Sequence, residues 1–145
     1  MPRSLLSIII IPVCVVTLCC KSYTAGLQQS STQVDDLTAI ANLKNIAQAQ
    51  TAFSVRNGGD YGTLEQLVAG GYLDTRFSGT RPKLRGFAFT VNANKSAGGS
   101  SYSCNADPDG PTNSAGRHFY LDFSSPVIRV NATRPATASD EVLQP

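Results

Sequence analysis

Few residues in this 145-residue chain could do chemistry, and their spacing limits what that chemistry could be. There is one histidine, His118, and there are four cysteines. Cys14, Cys19 and Cys20 fall in the first twenty residues, so only Cys104 lies beyond them. A nucleophilic thiol at Cys104 would need His118 beside it and a lowered pKa. The plainer reading is a buried apolar thiol on a strand. No C-x-x-C or H-x-x-x-H spacing is present, which removes the ordinary zinc sites. Asp107, Asp109 and Asp122 offer hard oxygen donors around a loop and a strand end, and could converge on a calcium ion. The loop lacks a Glu that could bind through both oxygens. Asp before Pro108 and Gly110 also builds Asx turns, with no ion needed. No residue is expected to be catalytic, and calcium is the one cofactor left open.

Cys19 and Cys20 point to a different chemistry, lipid attachment. Met1-Pro2-Arg3 is a short basic start, and Ser4 to Leu18 is almost wholly apolar. That is the pattern of an export signal, and it falls short of the ~20 apolar residues of a comfortable membrane span. A cysteine pair at the edge of the apolar run suits a lipoprotein anchor. Leu18 is large where a small residue is expected before the modified cysteine. Cleavage after Gly26 and an uncleaved anchor are the other two endings. Residues 1–20 are thus expected to be a signal peptide or anchor of an exported protein. Residues 21–32, rich in Ser, Thr and Gln, read as a polar tether. Residues 33–145 read as one globular domain with a polar C-terminal tail, of a length that supports a single modest core.

Composition narrows the partners. The net charge is +2, charged residues make up 15%, and Lys and Arg are scattered. With no basic stripe carrying interleaved aromatics, nucleic acid is not expected as a partner. The plentiful Ser, Thr, Asn and Gly suit a β-rich surface outside the cytoplasm. Asn94-Lys95-Ser96 and Asn131-Ala132-Thr133 match the glycan acceptor pattern, which arises often by chance in such loops. Tyr23, Tyr61, Tyr72, Tyr102 and Tyr120 could form a patch for sugars or electrons, but most are spaced as core or strand residues.

The elements that would position these residues follow from periodicity. Val34, Leu37, Ile40, Leu43, Ile46, Ala47, Ala49 and Phe53 recur at steps of three and four, predicting one amphipathic helix that Asn57-Gly58-Gly59 ends. Thr63 can cap a short helix over 64–69, with Gly70-Gly71 as the stop. Four strands are expected, over 86–92, 101–106, 117–122 and 127–130. The fold class is therefore expected to be α+β, a long amphipathic helix packed on a three- or four-stranded antiparallel sheet.

The order of these parts resembles the headpieces of type IV pilins and type II secretion pseudopilins, over about Ala39 to Leu143. The resemblance is carried by Ala41-Asn42-Leu43-Lys44-Asn45-Ile46-Ala47, Tyr61-Gly62-Thr63-Leu64-Glu65-Gln66-Leu67, and Tyr102-Ser103-Cys104-Asn105-Ala106-Asp107-Pro108. The most specific block is Gly116-Arg117-His118-Phe119-Tyr120-Leu121-Asp122 with Val127-Ile128-Arg129. It implies a membrane-tethered structural subunit that contacts other pilin-like subunits, or proteins of a pilus or secretion apparatus, through edge strands and the loop 107–116. Related secretion pseudopilins bind calcium in this region, which the resemblance carries over to Asp107, Asp109 and Asp122. The N-terminus departs from the prepilin pattern. No Gly precedes the apolar run and no acidic residue occurs before Asp35, so the polymerising stalk is expected to be missing. A surface or periplasmic lipoprotein that uses such a headpiece for binding or adhesion is the alternative.

Overall fold

In the computed structural model, the backbone is described for residues 16–110 and 116–144, and side chains from residue 33 onward within those spans. The chain divides into two units, Met1–Gln33 and Val34–Pro145. Within the first, the described residues belong to the first half of helix α1, which spans Val16–Arg56. The segment 21–32, expected as a tether, is helical backbone throughout. The rest of the account concerns the second unit.

The second half of α1 buries a stripe of Asp36, Ala39, Leu43, Ile46, Ala49 and Gln50. These steps of three and four form one face of a helix. It is rotated from the expected face: Val34 is 52% and Leu37 67% exposed, while Asp36 and Gln50, outside the expected stripe, are buried. The helix ends where Asn57 N–H donates to Phe53 O and Gly59 N–H to Ser54 O, with Gly58 and Gly59 at positive φ. Helix α2, Leu64–Ala69, carries the cap its sequence predicts. Thr63 Oγ1 accepts from Gln66 N–H, and the Gln66 side chain accepts from Thr63 N–H. A single 3₁₀ turn, Thr75–Phe77, follows and buries Phe77 in the core.

The remaining chain is an antiparallel meander in the order β1 to β6: Lys83–Leu84, Phe87–Ser96, Gly99–Pro108, His118–Asp122, Ser125–Asn131 and Glu141–Val142. This corrects the expected α+β layout with its three- or four-stranded sheet. The sheet has six strands, because β1 and β6 add a two-residue strand at each edge. Two residues show no alternation to read. Arg85 and Gly86, both at positive φ, make the tight turn that folds β1 onto β2.

Register and alternation divide the sheet into two faces. Phe89, Cys104, Ala106, Phe119, Leu121 and Ile128 join Ala39, Leu43 and Ile46 of α1 in one core. Asn105, Asp107, His118, Tyr120, Asp122, Arg129 and Asn131 point to the other face. Edge-on ring contacts, Phe77 on Phe89 at 5.9 Å and Tyr61 on Tyr102 at 4.7 Å, close the ends of the core.

Candidate functional site

Cys104 sits on the core face of β3 with no exposed surface, and its Sγ lies 3.4 Å from Leu121 O. Burial pushes the thiol up to about 12. A thiol so far from ionising is a small apolar side chain, not a nucleophile. His118 belongs to the opposite face of the sheet, so the structure does not form a Cys104–His118 pair.

The outer face gathers the polar groups instead. His118 Nδ1 lies 2.7 Å from Asp107 Oδ1, both side chains less than a fifth exposed. Asp109 pairs with Lys83 at 2.6 Å. Asp122 accepts from Ser124 N–H at 2.9 Å and from Tyr120 Oη at 3.1 Å. Burial pulls its carboxyl upward, but the bonds from Ser124, Tyr120 and Ser125 hold it below the usual range. Burial, together with the Asp122 carboxylate, raises the Tyr120 phenol. The three aspartates proposed for calcium therefore have three different sets of protein partners. Asp122 pairs with Ser103 on β3, four residues from Asp107, which is about 13 Å along a strand. Among the described residues no group of three or more His, Cys, Asp or Glu side chains is placed to hold a metal.

Two constellations went unread in the sequence. Asp36 is a carboxylate in the helix stripe, 5% exposed, and its Oδ2 accepts from Arg117 Nε at 2.9 Å. Its Oδ1 is buried with no hydrogen-bond partner among the described residues. Arg117 also lies over the Phe119 ring, 5.5 Å from its centre. The signal was present in the stripe spacing, since Asp36 precedes Ala39 by three and Ile40 by four.

The second constellation is the segment after β5, expected as a polar tail. Asp140 accepts from Asn131 Nδ2, Arg134 Nη2 and Thr137 N–H at 2.7–2.8 Å. These bonds, Asn131 first, hold its carboxyl well below the usual range. Arg129 Nη1 donates to Asp140 O, and Asn105 Nδ2 donates to Ala136 O across the outer face. Ala136 is buried as a result. This fastening also occupies the side chain of Asn131, one of the two glycan-acceptor asparagines, whereas Asn94 is exposed.

Residues 1–15, with Cys14, and the side chains of Cys19 and Cys20 proposed for lipid attachment lie outside the described residues, as does loop 111–115. Among the described residues no helix is long and apolar enough to cross a membrane. A cleft of about 400 Å³ lies where Asn45, Gln48 and Ala52 of α1 meet Tyr72, Arg76 and Phe77. Arg76 there is already bonded to Asp74 at 3.1 Å. Among the described residues, the exposed large apolar side chains are Val34, Leu37 and Val55 on α1, Phe123 and Val127 about the β4–β5 turn, and Val142 on β6. No protein-family model, no curated protein and no solved structure matches the chain.

Proposed function

We propose that this protein is an exported, membrane-tethered structural subunit of the type IV pilin or secretion pseudopilin kind, acting through contacts with other subunits. The observation that carries the reading is α1. It runs from Val16 to Arg56, and its second half lends one face to the core while leaving Val34, Leu37 and Val55 exposed on the others. The segment 21–32, expected as a polar tether, is helical backbone. The buried thiol of Cys104, and its separation from His118, remove the Cys104–His118 pair as a competing site. The sequence resemblance over Ala39 to Leu143 supplies the family.

A second reading rests on Cys19-Cys20 and on the lack of an acidic residue before Asp35. It makes the same domain the binding or adhesion module of a lipoprotein. The intact mass of the protein isolated from its own membranes separates the two. The subunit reading predicts an unlipidated chain that retains its apolar segment. A chain beginning at Cys19 or Cys20 with added acyl mass selects the lipoprotein. A chain beginning near Leu27 without lipid contradicts both.

A further inference from the structure

The β2–β3 hairpin extends beyond its neighbours in the sheet. β2 spans Phe87–Ser96, but β1 pairs only with Phe87 and Ala88, and Pro82 O extends that cover to Phe89 N–H. Beyond this point no strand among the described residues lies beside β2. The Phe89 contact also fixes which groups face outward. In an antiparallel ladder alternate residues bond to alternate sides. The two-residue Ala97-Gly98 loop makes Ser96 and Gly99 the closing pair, so the even-numbered residues from Ala88 to Ser96 bond to β3. The N–H and C=O groups of Val91, Ala93 and Lys95 therefore point out of the sheet, and among the described residues they have no partner. Unpaired rows of this kind template further strand pairing unless they are covered or guarded.

The sequence along this edge reads the same in both directions about Ala93: Asn92-Ala93-Asn94. We infer that β2 is a self-pairing edge, joining two copies of this chain antiparallel about a two-fold axis at Ala93. In that register Ala93 exchanges both of its backbone bonds with Ala93 of the second copy. Val91 does the same with Lys95, and Lys95 with Val91, so each outward group finds a partner. Asn92 of one copy stands directly opposite Asn94 of the other on the outer face, where their amides can bond. Like charges do not meet, because Lys95 faces Val91 and its ammonium already binds Asp60 of its own chain. A shift by one residue would set the groups already bonded to β3 against the open ones. A shift by two would set Lys95 against Phe89, already bonded to Pro82 O, or Val91 against the Ala97-Gly98 loop, so only the register centred on Ala93 pairs all three open residues with one another.

The contact is short, and five residues per copy make a weak dimer in free solution. Tethering both copies in one membrane raises their effective concentration and favours it. The inference deepens the subunit reading by naming a surface and its partner. The two stand or fall separately: a two-fold contact closes on itself and does not by itself build a fibre.

The test uses the full-length chain in detergent micelles, followed by amide hydrogen exchange across a concentration series. Exchange at Val91, Ala93 and Lys95 should slow about tenfold as dimer forms, while Asn92 and Asn94, already bonded to β3, stay unchanged. Ala93→Cys should oxidise to a dimer bridged through the introduced thiols and identified by peptide mass, since paired Cα atoms there are about 5.5 Å apart. Asn94→Cys should not, because its opposite number is Asn92. Concentration-independent exchange at the three amides overturns the inference, as does cross-linking that is equal at the two positions. A dimer that leaves the three amides unprotected overturns it too, and leaves the subunit reading standing.

Discussion

At the scale of single residues, the polar groups that drew attention as chemistry are used to hold the fold. Asp107, Asp109 and Asp122 bind His118, Lys83 and the turn at Ser124 respectively. Asp140 is the most heavily bonded carboxylate, and its effect on stability has a definite sign. Its folded pKa is lowered below the ordinary value, so its contribution is fully present above about pH 4 and is lost as pH falls through the lowered value. The segment 131–143 should therefore stay fastened through mild acid and loosen only in strong acid. Asp140→Asn removes that dependence and loosens it at neutral pH, seen as faster amide exchange at Thr137 and Leu143. Unchanged exchange in Asp140→Asn would mean the segment is held by Ala136 and the Arg129 bond alone. None of this was legible in the sequence. Residues 131–145 show no hydrophobic period, and their order comes from one acceptor meeting donors three to nine residues away.

At the scale of elements, the second half of α1, helix α2 and the four longer strands were readable; the first half of α1, expected in part as a tether, and the two short edge strands were not. Thr63 and Gly70 bound α2 as their types predict, because capping is a local property. The face of α1 was misread because Val34 and Leu37 obey the same three- and four-residue steps as the buried stripe. What selects the face is partners elsewhere in the chain. Gln50 is fully buried because its amide donates to Gly62 O at 2.6 Å and accepts from Gly62 N–H at 2.9 Å. Gln50→Ala leaves two buried backbone groups unpaired and should cost about 2–3 kcal/mol in denaturant unfolding. A loss under ~0.5 kcal/mol would show that water replaces the amide. Asp36 has Arg117 as its reason for burial. Arg117→Ala strands a buried carboxylate, and should cost about 1–3 kcal/mol after allowing for the half-exposed guanidinium. Asp36→Asn, which removes the buried charge and keeps an amide oxygen for Arg117 Nε to donate to, should cost less. The reverse order would mean that the Phe119 contact, not the ion pair, holds Arg117.

At the scale of the whole molecule, the resemblance to pilin headpieces rested on the order of elements and on short strings. The six-stranded sheet departs from the three or four strands expected. Among the described residues, packing leaves exposed Val34, Leu37 and Val55 on α1, Phe123 and Val127 about the β4–β5 turn, Val142 on β6, and the open backbone of β2. On this account the protein works by those surfaces, held near a membrane by its N-terminus. The most direct measurement is photo-crosslinking in intact native membranes from a probe placed at Leu37, which is 67% exposed and does not pack in the core. The account predicts a covalent product between this chain and a second pilin-like subunit, lost when the apolar segment 4–18 is removed. A chain recovered free of membrane, with no cross-linked product at native levels, would contradict it.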